Sequence, residues 1–504
     1  MTIQPQSSQV SAAASREWVH ATLPEVHDMI AGERVRPANE LGFWVSDSST
    51  GEALQRARSS SPEQIERALA AANAGFQGGS WSGLDAELRA DALDKVAQRL
   101  EARVGELAEL DARTSGVTIT WTALMTRLVP VIFRQASKAL RRGLLRQLHP
   151  GRYGAVEVRA VPLGPVALIG PWNAPTTIIA HKLASALAAG CNVIIKPSEH
   201  VPHSTGLLVD AVLEAGLPTD VVQLLHGDGA VGNSIVSDPR IKAVSFTGGL
   251  TGGRAVAAAC AQDLKPVQLE LGGNNPLLVL ADADLDAAAE AIVAGLTTLN
   301  GQWCRAIGRV IVDRSVMAPM LELVKTKLGT VRLGHSLDPQ SDMGPLVHRQ
   351  HLAQIQQAQQ SLLKAPSSTA LNPTATPALQ GHFHPPTLLC GVPHEQALEE
   401  LFGPVATVHP FTSETEAISL ANAGRYGLAA YVFGDEQRAL ELAGQIRAGS
   451  TQVNGLSLLS LAPTAPRAAW GLSGLGDEGT LETLRFFTGH RVIGVGGQPV
   501  RAEA

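Results

Sequence analysis

Val166-Ala167-Leu168-Ile169-Gly170 is a short apolar run that stops on glycine, and three more runs of the same kind follow it: Asn192-Val193-Ile194-Ile195, Val221 to Leu225, and Ala243-Val244-Ser245-Phe246. Runs this short, almost free of polar residues, predict strands covered on both faces. Between them lie 178–189, 205–215 and 231–236, each predicted as a crossover helix. Strand–helix alternation with buried strands implies a parallel, doubly wound α/β sheet, a common platform for dinucleotides. A second α/β unit begins near Asn275-Pro276-Leu277-Leu278-Val279-Leu280 and runs through Val310-Ile311-Val312 and 429–433.

Upstream, Ser61-Pro62-Glu63-Gln64 carries the signature of a helix start: a capping serine, proline at the first position and glutamine where a capping box needs it. Ile65, Leu69, Ala72 and Phe76 continue it as an apolar stripe, and a longer helix is expected over 86–110. Segment 154–161 alternates with period two, as in a projecting hairpin, and the Ser/Thr/Pro-rich stretch 366–380 reads as a solvated loop. Residues 1–20 are polar with no apolar core, which suits a frayed terminus rather than a secretory signal. No run approaches the roughly 18 apolar residues of a membrane span.

The 504 residues allow two or three domains, and 45% hydrophobic content suffices for large cores. A formal charge of −6 argues against a nucleic-acid or anionic-membrane partner. Cys191, Cys260, Cys304 and Cys390 are scattered, with no metal-ligand spacing, so no metal is expected and a reduced, cytoplasmic chain is the default.

Cys304 closes the run Asn300-Gly301-Gln302-Trp303-Cys304, downstream of the glutamate in Glu270-Leu271-Gly272-Gly273. A thiolate attacks carbonyl carbon, and a carboxylate can activate the water that clears the resulting thioester. Upstream, Pro171-Trp172-Asn173-Ala174-Pro175 offers an asparagine amide that can donate to a developing oxyanion. In isolation each residue has a plainer reading: a small core hydrophobe for Cys304, a buried carboxylate for Glu270, a turn residue for Asn173.

Together with Lys196-Pro197-Ser198-Glu199 and Glu400-Leu401-Phe402-Gly403-Pro404, these runs resemble the NAD(P)-dependent aldehyde dehydrogenase superfamily, in order from Ser49-Thr50-Gly51-Glu52 to Ser473-Gly474-Leu475-Gly476. The resemblance implies a Rossmann-like cofactor domain built from 1–142 and 163–272, an α/β catalytic domain over 273–478, and a small β oligomerisation element from 143–162 with 479–504, in a homodimer or homotetramer. It makes Cys304 the nucleophile, Asn173 the oxyanion donor, Glu270 the base, and Lys182 with Glu478 a pair near the proton exit. Arg305, next to the nucleophile, reads either as a source of positive potential or as one half of a structural ion pair.

For the cofactor, the resemblance points to Pro171, Trp172, Lys196, Ser198 and Glu199, with Lys196 and Glu199 on the adenosine ribose. Glu199 favours NAD, because a carboxylate repels a 2′-phosphate, although NADP stays open. Gly229, Glu400 and Phe402 match adenine-side, ribose and nicotinamide contacts, with Leu271 and Gly272 beside them. Phe246, Thr247, Gly248, Gly249 and Gly253 form a glycine-spaced turn whose following helix can face the pyrophosphate. Trp121, Met125, Ala174, Ile178, His181, Trp303 and Arg305 are expected around the aldehyde. The apolar members suit an apolar or aromatic tail, and His181 and Arg305 an anionic one, as in a semialdehyde.

Four departures stand out: Gly249 where the family has serine, Asn274 where it has lysine, Gly308 one position late after the nucleophile, and Pro466-Arg467-Ala468-Ala469-Trp470-Gly471 in place of a Phe-Gly-Gly-Phe-Lys type run. The activity implied is oxidation of an aldehyde to its acid with reduction of NAD. The rivals are a coenzyme-A-acylating enzyme, which generally lacks the base, and a non-enzymatic binding protein on the same fold.

Overall fold

The computed structural model describes residues 23–459, 461–462 and 465–497, so the polar stretch 1–20 lies outside the described residues. The four apolar runs become strands Val166–Ile169, Val193–Lys196, Val222–Leu224 and Ala243–Thr247, followed by Val267–Glu270. All five pair in parallel, with Val166–Ile169 between Val193–Lys196 and Ala243–Thr247, Val222–Leu224 outside the former and Val267–Glu270 outside the latter. Antiparallel strands Asp28–Ile30 and Gly474–Leu475 close the two flanks.

Alternation along these strands explains why they read as continuous apolar runs. Val166 and Leu168 pack with Leu93, Phe133 and Leu183 on one face, while Ala167 and Ile169 pack with Ile65, Leu69 and Val231 on the other. Each face needs its own hydrophobic set, so polar residues are few, and those present, such as Ser245 and Gln268, are buried and hydrogen-bonded to one another. Helices Ala86–Glu101, Leu128–Arg141 and Pro175–Ala189 therefore cover one side, and Pro62–Gly78, Gly229–Ser237 and Leu250–Gln262 the other. The capping box at Ser61 and Gln64 is formed in both directions.

A second sheet runs Thr369–Leu371, Thr387–Cys390, Val405–Phe411, Ile307–Asp313, Asn275–Val279, Ala429–Phe433 and Ser450–Val453, parallel except at its first strand. A third is antiparallel: the hairpin Arg146–Gly151 and Gly154–Pro162 pairs with Thr488–Ile493 near the other end of the chain.

Two expectations need correction. The helix read over 86–110 is two, Ala86–Glu101 and Val104–Ser115, broken where Arg103 takes φ −110° and ψ 0°. Its guanidinium reaches the Leu207 carbonyl and Glu214, a tertiary contact with no local breaker to announce it. The loop expected over 366–380 contains strand Thr369–Leu371, which pairs with Thr387–Cys390 at the sheet edge.

In the first sheet the strand order turns between Val166–Ile169 and Ala243–Thr247. Their chains leave in opposite directions and open a crevice beyond the carboxyl ends, where ligands bind in doubly wound sheets.

Candidate active site

A cleft of about 520 Å³ fills that crevice. Each parallel strand except Val222–Leu224 delivers residues to it directly from its own end. Pro171, Trp172 and Asn173 follow Val166–Ile169, and Lys196, Ser198 and Glu199 follow Val193–Lys196. Phe246, Thr247, Gly248 and Gly249 end Ala243–Thr247, and Glu270, Leu271 and Gly272 end Val267–Glu270. Gly229 and Ile178 line it from helix starts, and Cys304, Glu400 and Phe402 reach it from the side of the second sheet.

Cys304 is presented by a strained loop. Leu299, Asn300 and Gly301 all take positive φ, at 48°, 60° and 69°. Side-chain residues cost of order 1–3 kcal/mol each in such conformations, so surrounding contacts must hold them. Asn300 Nδ2 donates to the Gly116 and Pro345 carbonyls at 2.8 Å, and its Oδ1 accepts from Gly344 N–H at 2.8 Å. A Cβ on Gly301 would stand 2.5 Å from Pro404 backbone atoms, so only glycine lets the 400–404 loop pack on the Cys304 loop.

The Cys304 thiol and the Glu270 carboxyl line the same cleft, close enough for each to shift the other's ionisation. Burial and then the Glu478 charge push the Glu270 carboxyl up to about 7, with Arg305 and Lys182 pulling the other way. Burial and the Glu270 charge also hold the thiol well above its usual value, so it rests protonated beside a carboxylate able to take its proton. Asn173 is buried, and one of its two amide N–H groups donates to the Gln302 carbonyl at 2.9 Å. That bond ties the amide to the Cys304 loop and leaves its second N–H available to another acceptor.

Lys182 and Glu478 lie behind this group rather than in the cleft. Their ion pair is 2.9 Å long, and Lys182 Nζ also donates to Ser245 Oγ at 2.8 Å. Burial opposes the Glu478 charge, yet Lys182, with His181 and Arg467, brings the carboxyl down to about 2. Glu478 is thus a fixed negative charge that keeps Glu270 basic.

The cofactor side fits a dinucleotide. Helix Leu250–Gln262 begins at Gly249 with no side-chain cap, and a Cβ there would meet nothing within 4 Å, so its first N–H groups face open space. The serine missing at Gly249 would have satisfied one of them. Thr247 Oγ1 is buried without a hydrogen-bond partner. Glu400 Oε1 accepts from Gly273 N–H at 2.7 Å, and a Cβ on Gly272 would lie 2.4 Å from that oxygen. Phe402 holds a positive φ of 53° and meets Trp172 edge-on at 5.2 Å. Gly253 does not line the cleft: a Cβ there would strike Leu271 at 2.3 Å, so Gly253 serves helix–sheet packing, and Gly252 is the wall residue. Sequence reasoning also missed His200, His348 and His351, which line one wall.

Trp121, Met125 and Trp303 pack with Cys304 in one apolar cluster, joined by Leu456 and Leu458, which the sequence did not single out. His181 sits on helix Pro175–Ala189, one position before Lys182. Its Nε2 lies 3.1 Å from Thr483 Oγ1, and burial lowers its pKa to about 3, so it is a neutral hydrogen-bonding residue rather than an anion grip. Arg305 donates to Ser450 Oγ and forms no ion pair among the described residues, which removes the structural-pair reading.

Two departures compensate one another. A Cβ at position 308 would stand 1.8 Å from Asn274 Oδ1, so the late glycine makes room for the asparagine, whose Nδ2 donates to the Ala397 carbonyl at 2.7 Å. In the altered run near the end of the chain, Arg467 and Ala468 pair with Glu478 and Asp477, placing Arg467 3.8 Å from Glu478.

A crevice at the carboxyl ends of a doubly wound sheet, lined by a thiol and a carboxyl, suits an enzyme that binds a dinucleotide. The chain belongs to the aldehyde dehydrogenase family, whose model matches residues 36–493. It is 31% identical to geranial dehydrogenase of Castellaniella defragrans over 86% of this chain and 92% of that one. It is 31% identical to 2-hydroxymuconic semialdehyde dehydrogenase of Pseudomonas sp. strain CF600, over 92% and 98% of the two chains. Betaine aldehyde dehydrogenase of Staphylococcus aureus, solved in complex with NAD+, superposes with a TM-score of 0.88 at 28% identity, over 95% and 96%. The protein is an NAD-dependent enzyme that oxidises aldehydes. Among the described residues no helix is long and apolar enough to cross a membrane.

Proposed function

We propose that Cys304 is the nucleophile, Glu270 its base and Asn173 the oxyanion donor in oxidation of an apolar or aromatic aldehyde to the free acid. The observation that carries this reading is that Cys304, Glu270 and Asn173 line one cleft, with the Asn173 amide tied to the Gln302 carbonyl two residues before Cys304. Glu270 takes the thiol proton as sulfur adds to the carbonyl carbon, and Asn173 Nδ2 with the Cys304 backbone N–H holds the oxygen of the thiohemiacetal. Bound NAD supplies the acceptor for the hydrogen and electron pair that the thiohemiacetal loses. Glu270 passes the thiol proton to solvent and, as a carboxylate again, removes a proton from the water that attacks the Cys304 thioester. The C–S bond breaks, the sulfur regains a proton from Glu270 and the acid product is free.

Lys196, Ser198 and Glu199 hold the adenosine ribose, Gly248, Gly249 and the helix start behind them hold the pyrophosphate, and Glu400 with Phe402 holds the nicotinamide end. Support for the substrate class comes from Trp121, Met125, Trp303, Leu456 and Leu458 gathered at the thiol, and from relatives named for geranial and for 4-(hydroxymethyl)benzenesulfonate. We assign the cofactor domain to 1–142 and 163–272, the catalytic domain to 273–478, and subunit association to 143–162 with 479–504. The exposed Leu148, Val492 and Ile493 on the three-stranded sheet support that last assignment, in a homodimer or homotetramer. Four free cysteines suit the cytoplasm.

Product analysis tests the reading. Aromatic aldehyde and NAD are expected to give free acid without coenzyme A. With a base titrating at about 7, the rate of hydrolysis should fall roughly tenfold per pH unit below that point and level off above it. Turnover that requires coenzyme A contradicts it.

Asn173→Ala is expected to lower kcat by about 10²–10³-fold, the usual loss for one oxyanion donor, with the Kd for NAD within about threefold of wild type. A loss confined to cofactor binding removes the oxyanion role.

A further inference from the structure

The histidine wall of the cofactor cleft has no part in the chemistry above, and one of its members stands at the ribose end. His200 directly follows Glu199, and its backbone N–H donates to Ser198 Oγ at 3.3 Å. Its ring is stacked between Phe43, at 5.0 Å, and His348, at 4.1 Å. The other two histidines are committed elsewhere. His348 Nδ1 accepts from His351 N–H at 3.1 Å, capping helix Arg349–Leu362, and His351 Nε2 donates to the Phe402 carbonyl at 2.9 Å. The His200 ring makes no side-chain hydrogen bond to the described residues, and it opens into the cleft beside Glu199 and Lys196.

The groups facing His200 decide where a proton goes. Glu199 and Lys196 come from its own segment, paired at 3.5 Å, and His348 and His351 come from the helix packed against it; Phe43 brings no charge. Burial keeps the His200 ring neutral at neutral pH, with Glu199 favouring the cation and Lys196 opposing it. Burial, with His200, His351 and His382 around it, takes His348 down to about 3, whereas Glu199 favours a cation on His200 and on neither of the other two rings. At neutral pH the ribose end thus presents one carboxylate and one ammonium. At lower pH it presents a second cation next to the carboxylate.

We propose that His200 is a specificity-determining residue that makes the choice between NAD and NADP depend on pH: neutral, it leaves Glu199 free to exclude a 2′-phosphate, and charged, it offsets Glu199 and admits one. The inference rests on Glu199 facing the adenosine ribose, as proposed above.

Equilibrium binding by calorimetry tests it. The Kd of each cofactor would be measured near pH 8 and near pH 5.5 for wild type, His200→Gln, His200→Phe, which keeps the stack without the proton, and Glu199→Gln. The 2′-phosphate has its own second ionisation near about 6, which also eases repulsion at low pH, but that contribution is common to every variant. The Kd ratio of NADP to NAD is expected to fall about tenfold further between the two pH values in wild type than in either His200 variant. Equal pH dependence in wild type and both His200 variants, with the ratio narrowed at pH 8 in Glu199→Gln, overturns the His200 role alone. A ratio unchanged in Glu199→Gln at pH 8 removes the ribose reading and this inference with it.

Discussion

Cys304→Ala is expected to lose dehydrogenase turnover by at least about 10⁴-fold while NAD binding and the folded state persist. The other three thiols cannot replace it. Cys191 is fully buried in the cofactor-side core, and burial pushes it up to about 12; Cys260 lies in the opposite core layer, and Cys390 sits on strand Thr387–Cys390 of the second sheet. None lines the cleft. The asparagine–glycine loop that presents Cys304 is held by Asn300 and by the Pro404 contact, neither of which uses the sulfur. Stopped-flow and steady-state NADH absorbance, with calorimetry for NAD, check this. Substantial turnover in the variant would remove Cys304 from the mechanism.

Glu270→Gln should separate the two halves of the reaction. Glutamine keeps the shape and a hydrogen-bond acceptor for the thiol but cannot take a proton. Acylation needs deprotonation of a thiol, which is acidic enough for solvent base to assist slowly, whereas thioester hydrolysis needs activation of water, a far weaker acid. Hydrolysis is expected to drop by about 10²–10⁴-fold, the range of general-base contributions. A slowed burst of about one NADH per active site would then precede a much slower steady phase, because acyl-enzyme accumulates. Loss of the burst, with aldehyde and NAD still bound, would confine Glu270 to activating Cys304.

Much of this site was legible because doubly wound sheets deliver ligand contacts at strand ends. Once Val166–Ile169, Val193–Lys196 and Ala243–Thr247 are read as buried strands, Asn173, Lys196, Glu199 and Thr247 fall near their carboxyl ends by position alone. Cys304 and Glu270 came from a resemblance, since no local pattern separates a reactive thiol from a core one.

What escaped the sequence arrives from far away in the chain. The His200–His348 stack joins segments that neither periodicity nor spacing connects. Leu456 and Leu458 lie on an irregular loop whose approach to Trp303 is set by tertiary packing. The Gly253 assignment failed for a physical reason: a glycine spacing cannot tell close backbone approach to a ligand from close approach to Leu271. The charge state of His181 was not legible, because sequence does not reveal burial, and burial decides whether a histidine carries charge. Asn274 and Gly308 look like two separate departures in sequence and are one packing solution in space.

The central claim is that an acyl group passes through Cys304 and is released by Glu270. Mass spectrometry of Glu270→Gln, quenched after mixing with NAD and an aromatic aldehyde, tests it most directly. The account predicts an acyl adduct on the peptide containing Cys304, in an amount matching the NADH of the burst. An adduct on Cys191, Cys260 or Cys390, or burst NADH with no adduct at all, would contradict it.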